Sequence, residues 1–277
     1  MKLIADSGAT KTHWLLINDN QEQQLISTMG INPFHQPQEL IAHIIAEELI
    51  PHLEGDKNAM KEIFFYGAGC IAETKNTIIQ ALQQYFPHAH IYVESDLLGA
   101  ARAICQHSPG IACIMGTGAN SCLFDGNNIT DNISPLGYIL GDEGSGAYLG
   151  KRFIGDCLKR QLPADLCEEL LHEYRLTRTD ILNKVYKEPM ANRFLASLTP
   201  YIYKVKERPE VHHFLIDCFS QFFLRNIKPY GCQLPISFAG SIAWYFQEEI
   251  KISAEQNGYT IKTFLKDPIN GLAEYHK

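Results

Sequence analysis

The segment Asp6-Ser7-Gly8-Ala9-Thr10-Lys11-Thr12 gathers small, flexible and hydroxyl-bearing residues around a single cation. Such a turn lets backbone N–H groups approach phosphate oxygens closely, while Thr10 adds a hydroxyl donor and Lys11 a positive charge. The P-loop pattern G-x-x-x-x-G-K-[ST] is absent, so this would be a phosphate loop of another kind. Gly116-Thr117-Gly118-Ala119-Asn120 forms a second glycine turn. Taken singly, either is also an ordinary hairpin. Asp96 follows an apolar strand pattern and opens a helical one, which suits an N-cap and equally suits a general base taking the proton of an attacking hydroxyl. Gly141-Asp142-Glu143-Gly144-Ser145-Gly146 sets adjacent carboxylates between glycines, either as helix-starting charges or as acceptors for sugar hydroxyls. Asn32 and Asn120 supply amides that both donate and accept.

The elements that must position these groups are legible as periodicities. Residues 3–5, 12–17 and 24–28 read as a three-strand meander. A helical pattern at Leu40, Ile41, Ile44, Ile45 and Leu49 ends at Pro51, a strand at 63–66 runs into Gly67-Ala68-Gly69, and a second helix stops at Pro87. A strand at 90–93 then leads to Asp96. The opening pattern recurs about 110 residues later, with strands at 111–115, 121–124 and from 129. Superposing Gly8 on Gly118 puts 6–14 on 116–124 and implies two similar domains with a cleft between them. The rest is helix-rich, at 146–160, 164–174, 179–186, 192–204 and 210–228. A strand at 235–238 meets Ala239-Gly240-Ser241 and a helix at 242–256, with Gly258 as its stop. A strand at 261–265 and a short helix after Pro268 close the chain. The fold class expected is α/β: two similar domains with mixed βββαβα sheets and a cleft between them. Their bounds are 1–108 and 109–267, with the helix at about 268–277 packing back on the first domain.

Composition narrows the partners. A chain of 277 residues with 45% hydrophobic residues can bury two cores. Its net charge of −7, without a Lys/Arg-rich run, repels a phosphate backbone, so no nucleic acid is expected. No apolar run suits a signal or a membrane span, which predicts a cytoplasmic protein without a membrane partner. The eight cysteines lack C-x-x-C spacing and read as buried, reduced thiols. Trp14, Trp244 and the Phe-rich run 214–223 read as core rather than as a sugar platform.

Taken in order, these motifs resemble the N-acetylglucosamine kinase family and the related BadF/BadG-type ATPases of the actin-like superfamily, over essentially the whole chain. The resemblance implies an α/β fold of two actin-like (ribonuclease H-like) domains with mixed βββαβα sheets and a central nucleotide cleft, and ATP and Mg²⁺ as cofactors. It places phosphates at Asp6, Gly8, Thr10, Lys11 and Thr12 and at Gly116, Thr117 and Gly118, adenosine at Gly240 and Ser241, and Mg²⁺ at Asp6 through water. It places the sugar at Asn32, Ala119, Asn120, Gly137 and Asp142, with Asp96 at the reacting hydroxyl. The implied reaction is phosphoryl transfer from ATP to the 6-hydroxyl of N-acetylglucosamine or a related amino sugar, and the resemblance allows a homodimer. Ala119 stands where the family commonly has Ser, and the first loop has fewer glycines than the animal enzymes. The zinc motif C-x-C-G-x-x-G-C of another sugar kinase lineage is missing. A second reading is an ATPase that drives electron transfer to acyl-CoA dehydratases or reductases, which needs cysteines for a shared iron–sulfur cluster.

Overall fold

The structure, a computed structural model, describes residues 1–8 and 10–277. The chain divides into two compact units: Met1–Ser108 with Gly126–Ile129 and Asp267–Lys277, and Pro109–Asp125 with Thr130–Lys266.

In the first unit β1 (Lys2–Ser7), β2 (Lys11–Ile17) and β3 (Gln23–Met29) form the meander, followed by α1 (Gln38–Ile44), β4 (Glu62–Gly67), α2 (Lys75–Gln83), β5 (His90–Ser95) and α3 (Asp96–Cys105). The sheet order is β3-β2-β1-β4-β5, antiparallel within the meander and parallel across β1, β4 and β5. Strand burial follows place in the sheet. Central β1 buries Leu3, Ile4 and Ala5 completely, whereas edge strand β3 alternates exposed and covered residues. Trp14 on β2 is fully buried, packs 5.7 Å from the Phe65 ring and donates its indole N–H to Thr28 Oγ1 at 3.0 Å.

The second unit contains β6 (Gly110–Met115), β7 (Ala119–Phe124), β8 (Ile129–Asp131), α4 (Gly137–Leu140), α5 (Gly146–Leu158), α6 (Ala164–Glu173), α7 (Arg178–Tyr186), α8 (Ala191–Ala196), α9 (Thr199–Lys204) and α10 (Pro209–Phe222). Then come β9 (Ile236–Ala239), α11 (Ser241–Tyr245), α12 (Gln247–Gln256) and β10 (Ile261–Leu265). The chain ends with α13 (Ile269–Tyr275), which packs on α3 and β1 of the first unit. The second sheet runs β10-β9-β6-β7-β8, so each sheet holds its elements in the order third, second, first, fourth, fifth. The doubled meander of the sequence is therefore a doubled topology, the α/β arrangement of an actin-like fold. The superposition shifts, however. The last pair of the first hairpin is Ser7 with Thr12 and that of the second is Met115 with Ala119, so Ser7 matches Met115 and Asp6 falls on Ile114, not on Gly116.

Three further expectations change. The helix expected at 192–204 breaks into α8 and α9, because Pro200, in the first turn of α9, has no N–H to continue the preceding ladder. The helix expected at 242–256 breaks at buried Phe246, which lies outside helical geometry. Trp244 is 40% exposed rather than core, while Phe214, Phe219, Phe222 and Phe223 are buried as expected. None of the eight cysteines is in a disulfide; seven are buried and Cys232 is partly exposed. Among the described residues no helix is long and apolar enough to cross a membrane.

Candidate active site

The first unit brings Asp6, the loop after it, Asn32 and Asp96 to one end of its sheet. Asp6 lies in β1, and Asp96 follows directly on β5, whose Ser95 pairs with Gly67 of β4, itself paired with Ser7. These are the carboxyl ends of parallel strands, where α/β folds bind ligands. β5 runs two residues further than its apolar pattern, so Ser95 is the N-cap of α3, accepting the Leu98 N–H at 3.2 Å, and Asp96 is the first helical residue. The Asp96 Oδ1 accepts the Leu97 N–H at 2.9 Å. Burial raises the Asp96 pKa against the pull of the Leu97 N–H and of its own backbone N–H. Asp6 is pushed up to about 7 by burial first and then by the charges of Asp96 and Asp267. Its carboxylate makes no hydrogen bond or ion pair among the described residues.

The loop itself divides. Gly8, Thr10 and Lys11 are exposed, the Gly8 N–H donates to the Lys11 carbonyl at 2.9 Å, and Ala9 lies outside the described residues. Thr12, read from the sequence as a nucleotide contact, is instead fully buried. Its hydroxyl lies 2.6 Å from that of Ser7, donates to the Met29 carbonyl at 3.2 Å and accepts the Ile31 N–H at 3.2 Å. The Ser7 hydroxyl donates to the Ile31 carbonyl at 2.8 Å. This pair of hydroxyls thus anchors the segment that presents Asn32. The Asn32 Oδ1 accepts the Phe34 N–H at 3.0 Å, which leaves its NH₂ as the available end.

In the second unit the turn after β6 is docked on α5. The Gly116 carbonyl accepts the Gly146 N–H at 2.8 Å and the Thr117 carbonyl accepts the Ala147 N–H at 3.0 Å, so loop oxygens cap the start of the helix. The Thr117 and Gly118 N–H groups have no acceptor among the described residues. Asp142, at a left-handed φ of 54°, brings Oδ1 to 3.4 Å from the Ala119 N–H, and burial raises its pKa. Gly118 and Ala119 therefore meet Asp142, and Asn120 follows them on β7. Gly137 opens α4 on the exposed loop before Asp142. Gly240 must be glycine: at φ 116° its missing β-carbon would lie 2.5 Å from the Met115 carbonyl oxygen. That approach sets Ser241 and the start of α11 beside the end of β6. Ser241 lines a cavity of about 390 Å³ with Thr199, Tyr203, Ile242, Tyr245 and Phe246.

Sequence reasoning missed Asp267, whose charge reaches Asp6, and Lys151, whose ammonium donates to the Tyr138 carbonyl at 2.7 Å and faces Asp142 and Glu143. Neither sits in a glycine-rich pattern. Asp267 is marked only by the Pro268 that follows it, and Lys151 only by its place one turn into α5.

No family model matches the chain, and no curated protein matches it. Solved structures do. A candidate N-acetylglucosamine kinase from Porphyromonas gingivalis is 44% identical with a TM-score of 0.95, over 100% of this chain and 98% of its own. The chain belongs to the N-acetylglucosamine kinase family. A candidate N-acetylglucosamine kinase from Chromobacterium violaceum shares the fold at 15% identity and a TM-score of 0.76, over 100% and 98% of the two chains. Component A of the Acidaminococcus fermentans (R)-2-hydroxyglutaryl-CoA dehydratase shares it at 12% identity and 0.51, over 100% and 99%. The last two likenesses concern the fold alone.

Proposed function

We propose that the protein transfers the γ-phosphoryl group of ATP to a hydroxyl of an amino sugar, in the first instance the 6-hydroxyl of N-acetylglucosamine, with Asp96 as general base. The observation that carries this reading is the Asp96 carboxylate. It sits at the carboxyl end of a parallel strand, with Oδ1 oriented by the Leu97 N–H and its proton affinity raised by burial. A carboxylate whose pKa rises toward the working pH accepts a proton more effectively as the sugar oxygen attacks phosphorus. Positioning and charge stabilisation supply the rest of such a reaction. Lys11 and the Thr117 and Gly118 N–H groups are suited to phosphate oxygens, and Asn32, Asn120 and Asp142 to a polyol. The cavity beside Ser241, with Tyr203 and Tyr245, offers aromatic faces to a nucleotide base.

The residues also fit Mg²⁺. Asp6 offers a carboxylate without a protein partner among the described residues, and Mg²⁺ favours oxygen ligands while keeping several waters. Among the described residues no three His, Cys, Asp or Glu converge as a cage, which suits an ion held by Asp6 through water and by the phosphates. When bound, the ion would neutralise phosphate charge. Eight cysteines outside any disulfide, seven of them buried, suit a reducing compartment such as the cytoplasm. Coupling to electron transfer gains no support. An iron–sulfur cluster needs accessible thiolates, and the contacting pair Cys157 and Cys167 is buried, with both thiols' pKa values raised by that burial.

The test is ADP release in Mg-ATP with N-acetylglucosamine, N-acetylmuramic acid, glucosamine, glucose or no sugar, for the parent and Asp96→Asn. We expect strong stimulation by one N-acetylated sugar and a loss of about 10²-fold or more in Asp96→Asn. Sugar-independent hydrolysis, or full activity in Asp96→Asn, would overturn the reading.

A further inference from the structure

The side chain of Asn120 is not free to donate and accept alike. Its Oδ1 accepts two hydrogen bonds, from the Ser121 N–H at 2.9 Å and from the Asn132 NH₂ at 2.9 Å, which occupies both lone pairs. Turned over, its NH₂ would face two other donors. The orientation is thus fixed by its partners, and the NH₂ of Asn120 is the end left for a ligand.

Asn132 is itself held in place. Its NH₂ also donates to the Ser121 carbonyl at 2.6 Å, so one amide ties the loop after β8 to both the backbone and a side chain of β7. The next residue is fixed independently: the Ile133 N–H donates to the Tyr230 hydroxyl at 3.1 Å. That hydroxyl lies 2.9 Å from the Ser121 Oγ, which donates to the Asn226 carbonyl at 3.3 Å. The Asn226 NH₂ in turn donates to Glu143 Oε2 at 3.1 Å, beside Asp142. Donors and acceptors along this chain run consistently in one direction, and Ser121, Asn226 and Glu143 are buried.

We propose that Asn132 is a positioning residue that locks the Asn120 amide as a donor, so that this point of the site selects a ligand oxygen able to accept, such as a hydroxyl or an acetamido carbonyl. The inference rests on the amino-sugar reading given above and names what that site demands of its ligand at one position. Asn132 acts through Asn120 and need not touch the sugar.

The experiment is calorimetric titration of the full chain with N-acetylglucosamine and, separately, with ATP, for Asn132→Ala, Asn120→Ala, the double variant and Asn120→Asp. In Asn132→Ala one lone pair of Asn120 is freed and the amide can turn. N-acetylglucosamine affinity is expected to fall roughly tenfold, the worth of about one oriented hydrogen bond, with ATP affinity unchanged. In the Asn120→Ala background Asn132→Ala should add nothing, a coupling that a merely structural role would not produce. Asn120→Asp keeps the bonded oxygen but presents an acceptor in place of the NH₂, so it should bind at least as weakly as Asn120→Ala. Additive losses, N-acetylglucosamine affinity within twofold of the parent in Asn132→Ala, or parent-like binding by Asn120→Asp would overturn the proposal. If Asn132→Ala loses its cooperative thermal transition, Asn120→Asp decides alone. Absence of amino-sugar binding by the parent would sink the functional reading and this inference with it, whereas binding by the parent with any of the failures above sinks the inference only.

Discussion

Replacing Asp6 by Asn should stabilise the ligand-free protein at alkaline pH while removing its activity. The folded state raises the Asp6 pKa from 3.8 to about 7, through burial and through repulsion by Asp96 and Asp267. Between those two values the folded state holds a proton that the unfolded chain has released, so stability declines as pH rises from about 4 and the loss is complete above about 7. A shift of ~3 units at 1.36 kcal/mol each sets a ceiling of ~4 kcal/mol. The carboxylate is partly open to solvent at the end of a strand, so half of that, ~2 kcal/mol or ~4 °C in the melting midpoint, is the working figure. Asn keeps the shape and has no charge to bury. The assay is urea unfolding of parent and Asp6→Asn from pH 5 to pH 8.5 in the presence of a chelator. The Asn variant should gain on the parent steadily up to pH 7 and stay ahead above it, and ADP release with sugar should be lost. An Asn variant equal to or weaker than the parent at pH 8.5, or an advantage independent of pH, would refute the reasoning.

His276 should produce the opposite slope. It stacks on Phe64 at 3.8 Å, contacts the Tyr66 hydroxyl at 2.8 Å, and has its pKa lowered to about 4 by burial and by the charges of Arg102, Lys2 and His107. The unfolded chain therefore takes up the proton first, so the stability His276 contributes is present above about 6.5 and lost as pH falls towards 4. His276→Phe should flatten acid unfolding over that window, as followed by circular dichroism, and an unchanged profile would count against it. Because the two slopes overlap, differences between variants, not the parent's profile, carry both tests. Glu249 on α12 is 1% exposed and is held by the Lys206 ammonium at 2.9 Å. Lys206→Met should cost about 3–5 kcal/mol by stranding a buried carboxylate, and adding Glu249→Met should recover much of that loss in chemical denaturation. No recovery in the double variant would show that the pair is not the cause.

Much of the candidate site's inventory was legible because glycine turns, apolar periodicity and isolated acids are local signals. Asp6, Asp96, Asn120 and Asp142 each stand at a junction that the pattern of neighbours marks. Thr12 misled for the same reason: a hydroxyl in a glycine-rich turn looks available, and only the meander shows that it points inward to Ser7 and Ile31. The slip in the superposed hairpins, two residues on the first strand and three on the second, has a similar origin, since strand ends depend on which partner carbonyls are in reach, and a single sequence does not show partners.

The sequence by itself determined the doubled meander, the helix-rich second half and the chemical types available for the proposed phosphate and polyol site, because alternation and turn chemistry are properties of adjacent residues. The tertiary structure alone decided which groups share an electrostatic field and which way each one faces. Asp267 reaches Asp6 from the far end of the chain because the last helix packs on β1 and α3. The Asn120 amide is held with its NH₂ as the spare donor because Ser121 and Asn132 occupy its oxygen. Charge and hydrogen-bond direction are set by separations of a few ångströms through space, and distance along the chain carries no record of them.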